Sequence, residues 1–431
     1  MIILLALLLL FAVPSWGFDA AITRVPINTI TGLQTVTFND FSEDCTAVTC
    51  AAIFVLTAAI TDNTIADDAL TSVGFADGTE QRMVLVWSND GGTTTAGRRE
   101  MRADRVIESY DGGITGTALF YDWQSNGLRI DISDAFPAAY LLTVMLMGGS
   151  DFQAKVGTVT SNAAVDGTTD VADVGFTPDT VLFSAARLDL NSAPGYVFTM
   201  GAAVNDGSST QGSIACFDQD AQSAATNARA LTSTLYAASY VDGGGQDLSL
   251  LIGSWDAAGF TATTKVVGLA ANFSYMALKF GSPQFAVFDI DTRTSIGATS
   301  HTIGFRPLAG MVVGTLARTY DFDESDSDGS QCMISLFANT GQYAHTTSIE
   351  DAALDPNTTS RSDDGGIMMG STTGTCPVGG CLRGFLILDP TALTIDYSSV
   401  YTDAVRKWIG FAVEDELAGG GAHRRGSGLL Q

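Results

Sequence analysis

The chain has 431 residues, 46% of them hydrophobic and only 16% charged. That much apolar surface offsets chain entropy, so disorder is excluded for most of the chain, and the chain is too long for one ordinary core. Acidic residues outnumber basic ones 47 to 21, and the net charge of −26 repels nucleic acid and anionic lipid at long range, so no nucleic-acid partner is expected.

Residues 1–17, "MIILLALLLLFAVPSWG", are apolar up to a Pro-Ser-Trp-Gly stretch. They read as a secretory signal cleaved before Phe18, or as sequence upstream of the true start. No later segment is apolar for long enough to cross a membrane, so no membrane span is expected in the mature chain. Gly, Thr, Ser and Val are abundant, which favours strands and turns.

From there the chain repeats itself. Strand-like runs appear in order: "CAAIFVLTAAI" from Cys50, "RMVLVWSNDGG" from Arg82, "ALFYDWQSNGLRI" from Ala118 and "YLLTVMLMGGSDF" from Tyr140. A matching series follows: "VGFTPDTVLFSAARL" from Val174, "YVFTMGAAVNDG" from Tyr196, "SLLIGSWDAAGFTA" from Ser249 and "FSYMALKFGSP" from Phe273. A third comprises "IGFRPLAGMVVGTLAR" from Ile303, "CMISLFANTG" from Cys332, "GFLILDPTALTI" from Gly384 and "RKWIGFAVED" from Arg406. Four landmarks in one order, at a period of about 130 residues, define units at 24–149, 150–281 and 282–416 and a tail at 417–431.

The fold class expected is all-β: three tandem β-sandwich domains of jelly-roll-like topology, strung in line, each with seven or eight short strands. The one stretch with a helical look is "DAQSAATNARALTSTLYAASYV" from Asp220, which reads as a helix or a long loop. In the Gly-Phe-x-Pro turns, Gly175 and Gly304 allow unusual backbone angles. Phe176 and Phe305 plug a sandwich end, and Pro178 and Pro307 set strand register.

Chemical motifs are few. No nucleophile elbow, zinc-protease helix or phosphate-binding glycine loop occurs. Asp122 beside Trp123, and Asp256 beside Trp255, suggest a sugar-stacking ring next to a carboxylate; a rim aromatic packed over the sandwich end is the alternative. Cys45 with Cys50, and Cys376 with Cys381, form two C-x4-C pairs suited to small disulfide loops, with zinc shared between the loops as the alternative. Cys216 and Cys332 lie in apolar runs and read as buried thiols. In "YDFDESDSDGSQ", Glu324, Asp326 and Asp328 follow the spacing of a calcium loop. Position twelve is Ser335 rather than Glu, and a solvated acidic hairpin loop is the alternative.

At "FDAAITRVPINTITGLQTVTF", "GFTPDTVLF", "GFRPLAGMVV", "LLTVMLMGGSD" and "YMALKFGSP", over Phe18 to Glu416, the chain resembles a loose group of tandem β-repeat proteins of tailed bacteriophages. That resemblance implies a virion or tail-associated surface protein and carries over no catalytic residue. The functional expectation is a non-enzymatic structural or adhesive protein, extracellular or on a virion. Its expected partners are a cell-surface glycan or other virion proteins, and homo-oligomerisation is left open. The alternatives are a secreted carbohydrate-binding protein and a glycan-degrading enzyme using a carboxylate pair.

Overall fold

A computed structural model describes residues 17–415, except 63–64, 90–96, 187–195, 219–227, 243–244, 267–269, 282, 323, 327–329, 350–357 and 370–380. Every described element is a strand. No helix among the described residues is long and apolar enough to cross a membrane.

The strands fall into three sets. The first holds β1 (Phe18–Pro26), β2 (Gly32–Thr37), β3 (Thr49–Thr57), β4 (Ile65–Asp67), β5 (Ala69–Ala76), β6 (Gln81–Ser88), β7 (Gly97–Arg102), β8 (Ile107–Tyr110), β9 (Ile114–Gln124), β10 (Gly127–Asp134) and β11 (Leu141–Gly149). The second holds β12 (Gln153–Thr160), β13 (Thr168–Val171), β14 (Thr180–Ala185), β15 (Tyr196–Val204), β16 (Gln211–Asp218), β17 (Ala228–Ser233), β18 (Ala238–Asp242), β19 (Gly245–Asp256), β20 (Gly259–Val266) and β21 (Asn272–Lys279). The third holds β22 (Phe285–Asp291), β23 (Gly297–Thr302), β24 (Pro307–Thr315), β25 (Glu324–Asp326), β26 (Ser330–Ala338), β27 (Gly341–Ile349), β28 (Thr358–Asp363), β29 (Ile367–Met369), β30 (Leu382–Asp389), β31 (Ala392–Ser399) and β32 (Lys407–Glu414).

Each set builds one large and one four-stranded sheet, in the same order. The large sheets run β1-β11-β3-β5-β6-β7, β12-β21-β14-β15-β16-β17 and β22-β32-β24-β26-β27-β28. The small sheets run β2-β10-β9-β8, β13-β20-β19-β18 and β23-β31-β30-β29. Two short strands leave their own set: β25 pairs with the β17 edge of the second set, and β4 with the β28 edge of the third. These donated strands cap sheet edges that would otherwise offer bare backbone.

The large sheets are buried on both faces, and alternation along each strand separates the two environments. On β3, Ala52, Phe54 and Leu56 join a cluster with Val36, Leu128 and Ile130 of the small sheet. Their neighbours Ala51, Ile53 and Val55 join a different cluster, which also contains Phe183, Met200, Met311 and Ile334 of the other two sets. On β24, Val312 faces the small-sheet side while Met311 and Val313 face the shared centre. This explains why "AAIFVL", "TVLFSA" and "GMVVGT" read as unbroken apolar runs; an alternating pattern belongs to strands with one wet face, such as β23 and β30.

The expectation of separate cores in line is therefore corrected. Strand β1 touches β26 and β27, β12 touches β3 and β6, and β16 touches β24 and β26, so each set meets both others. Where the sets meet, several polar side chains are paired. Tyr196 Oη lies 2.6 Å from Thr347 Oγ1 and 3.3 Å from Thr71 Oγ1, bringing together one residue from each set. Asp77 Oδ2 accepts the Val156 amide across the boundary of the first and second sets (2.8 Å). The Ser360 hydroxyl accepts the Leu70 amide and donates to the Asp68 carbonyl, both 2.8 Å away.

Three further expectations change. Cys216 and Cys332 are not thiols: they form a disulfide joining the second and third sets, with Cα atoms 6.1 Å apart. The segment with the helical look contains strands β17 and β18 within its described part, because Arg229–Ser233 pair with β16. Pairing with a neighbouring sheet overrides local periodicity. Strands are also more numerous than the seven or eight expected per unit, with ten or eleven in each set.

In the Gly-Phe-x-Pro turns, Gly175 and Gly304 adopt φ of +87° and +92°, and no atom would obstruct a Cβ at either position. Backbone conformation, not space, requires glycine there. Phe176 and Phe305 are buried.

His345 lies buried between the first and third sets, with Nε2 2.7 Å from Thr143 Oγ1. Burial, then the nearby Arg24 guanidinium, pushes its pKa down to about 3. The unfolded chain binds this proton from about pH 6.5 downward and the folded chain does not. Its stabilising contribution is complete above pH 6.5 and falls by about 1.4 kcal/mol per unit as the pH drops toward 3. Urea unfolding between pH 4 and 8 should show this slope, and His345→Gln should reduce it by one proton.

Candidate functional site

The two Trp-Asp pairs sit at the β9–β10 and β19–β20 hairpins of the small sheets. Trp123 faces Leu128 across its ladder and Trp255 faces Phe260. Successive side chains in a strand point to opposite faces, so neither indole shares a face with the Asp beside it. Trp123 packs inward on Phe120, with ring centroids 4.4 Å apart. Asp122 points the other way, accepting bonds from Arg129 Nε (2.8 Å) and Gln124 Nε2 (2.9 Å). Asp256 accepts a bond from Thr261 Oγ1 at 3.0 Å. The structure does not bring ring and carboxylate together.

Instead, the two tryptophans hold the neighbouring large-sheet hairpins. Gly78, at φ +88°, lies so close to Trp123 that a Cβ there would collide with the indole. Trp255 Nε1 donates to Ser209 Oγ at 3.0 Å. Beside each hairpin stands a glutamine that the sequence reading missed. Gln81, Gln211 and Gln342 use Oε1 to accept the amides of Phe120, Ile252 and Leu386 at 2.9, 3.0 and 2.7 Å. Each bond ties a large sheet to the middle of its small sheet. The signal was present in "DGTEQ", "DGSSTQ" and "NTGQ", but only the third dimension shows what the glutamine reaches.

The hairpin joining β15 and β16, residues 205–210, is longer than its counterparts at 77–80 and 339–340. It walls an open groove of about 670 Å³, whose other side is formed by Thr234, Leu235 and Tyr236. Ser209 is held at φ +56°, a strained angle for a non-glycine residue. Asp206 accepts bonds from the hydroxyls of Ser208 and Thr210. Burial would raise its pKa, but these bonds outweigh it and hold the carboxyl down at about 2. Asp321 of the third set accepts the Thr234 amide and hydroxyl, both at 2.8 Å. Lys265 reaches the groove and is paired with Asp166 at 2.7 Å.

A second cluster lies between β7 and β8. Arg98 and Arg102 both bind Glu100, while Arg105 binds Glu108. Glu108 is fully buried, and its Oε1 has no hydrogen-bond partner. Burial first, and then the Glu100 charge, push its pKa up to about 7, against the pull of Arg105 and Arg98. This is the pair of buried carboxylates that a glycan-degrading reading would look to. Arginines pair with both carboxylates.

The acidic stretch is described only in part. Glu324 and Asp326 belong to β25, extended along β17, and Glu324 Oε1 accepts the Arg318 amide at 2.9 Å. Asp328 lies outside the described residues, and among the described residues no three His, Cys, Asp or Glu side chains converge on a metal position. Cys45 and Cys50 form a disulfide, with Cα atoms 5.5 Å apart. Cys381 is disulfide-bonded, while Cys376 lies outside the described residues.

No protein-family model matches the chain, and no curated protein sequence matches it.

Two outcomes follow from these contacts. Gln342→Ala leaves the buried Leu386 amide without its acceptor, which should cost about 1–3 kcal/mol in chemical denaturation. The folded chain holds a proton on Glu108 between about pH 4.5 and 7 that the unfolded chain releases, so this contribution to stability is lost as the pH rises through 7. Glu108→Gln should flatten that segment of the stability–pH curve.

Proposed function

We propose that the chain is a non-enzymatic structural and adhesive surface protein, extracellular or carried on a virion. In this reading the three strand sets are β-sandwich units of jelly-roll-like topology, copied from one module and closed around a shared core. That shared core is the observation that carries the proposal. With the large sheets sealed on both faces, what remains for recognition is the outer sheets and the hairpins at their ends. Loops on a rigid scaffold are where binding residues concentrate.

The disulfide between the second and third sets and the donated strands suit a protein that must persist outside a reducing compartment. The connection between the first two strands of each set carries an exposed aliphatic tip: Ile30, Val165 and Ile296. Three equivalent weak contacts on one rigid body raise affinity through avidity. The carbohydrate-binding alternative draws its support from the hydroxyl-lined groove of the second set. Calcium at Glu324, Asp326 and Asp328 has less support, since β25 is extended.

Fractionation of the producing cells tests the location. Immunoblotting should find the chain in the medium or in purified particles. Recovery only from the cytosol would remove this reading.

A further inference from the structure

We propose that the groove between the β15–β16 hairpin and the turn at Thr234–Tyr236 binds a neutral oligosaccharide. This rests on the adhesive reading above and names the ligand class of that surface.

The lining has the chemistry a sugar requires. Ser208, Thr210 and Thr234 give their hydroxyl protons to Asp206 and Asp321 and keep lone pairs that accept from sugar hydroxyls, while Ser209, which accepts from Trp255, keeps a proton to donate. Tyr236, half-buried, and Leu235, 54% exposed, supply the apolar surface on which a pyranose face rests. The site is held in place before any ligand arrives. Asp206 fixes Ser208 and Thr210, Asp321 fixes Thr234, and the Trp255 indole fixes Ser209. Groups already ordered lose little entropy on binding.

Charge selects the class. Lys265 is neutralised by Asp166, so the groove offers no unpaired cation to an acidic sugar. The net charge of −26 repels anionic glycans on approach. The corresponding hairpins of the other sets are shorter and carry one hydroxyl each. Thr79 bonds to Asp77, and Thr340 bonds to the backbone of Ile22 in the first set. The longer hairpin of the second set brings three hydroxyls, on Ser208, Ser209 and Thr210, to the lining of an open groove.

The test uses the full chain on columns of mannan, laminarin, chitin oligomers and N-acetyllactosamine, with polysialic acid as the charged comparison. At least one neutral glycan should retain the protein. Tyr236→Ala should weaken retention at least tenfold without moving the thermal midpoint. Tyr236→Phe should stay within threefold of the parent, as should Tyr121→Ala on the first set's outer sheet. Retention by none of the neutral glycans, preference for polysialic acid, or unchanged retention of Tyr236→Ala would each overturn the groove assignment. Retention lost in Tyr121→Ala but kept in Tyr236→Ala would move the site elsewhere and leave the adhesive reading standing.

Discussion

The structure depends on large sheets that are apolar on both faces. A sheet covered on one side still presents a face of Val, Ile, Met and Phe to water, and at about 25 cal/mol per Å² that exposure is costly. The small sheet of each set covers one face, and the other two large sheets cover the second. No set satisfies this alone, so the chain closes on itself instead of extending as a string. The centre formed this way has low polarity, and each polar group drawn into it needs a partner. Thr71, Tyr196 and Thr347 supply one another, and His345 stays neutral beside Thr143.

Closure also settles where variation is tolerated. The large-sheet strands are fixed by packing on both sides, while the small sheets keep a wet face and the hairpins keep free ends. The Gln81, Gln211 and Gln342 struts hold these outer parts in register, so a longer hairpin can be accommodated without loosening the frame. The second set uses that latitude to open a groove. The first set spends its departure inward, on the ladder of Arg98, Glu100, Arg102, Arg105 and Glu108, whose charges neutralise one another. Arginines pair with both of its buried carboxylates, Glu100 and Glu108.

The sequence alone determined the all-β class, the recurring landmarks and the left-handed glycines of the Gly-Phe-x-Pro turns. These follow from local composition, turn chemistry and repetition along the chain. Only the tertiary structure decided that the three sets share one core, that Cys216 meets Cys332, that β4 and β25 cap edges belonging to other sets, and that Trp123 and Trp255 hold hairpins rather than face outward with a carboxylate. The physical reason is that each of these is a contact between segments far apart in sequence. A doubly buried strand reads the same whether its second face meets a neighbouring unit or its own, and an edge strand does not reveal which strand will pair with it.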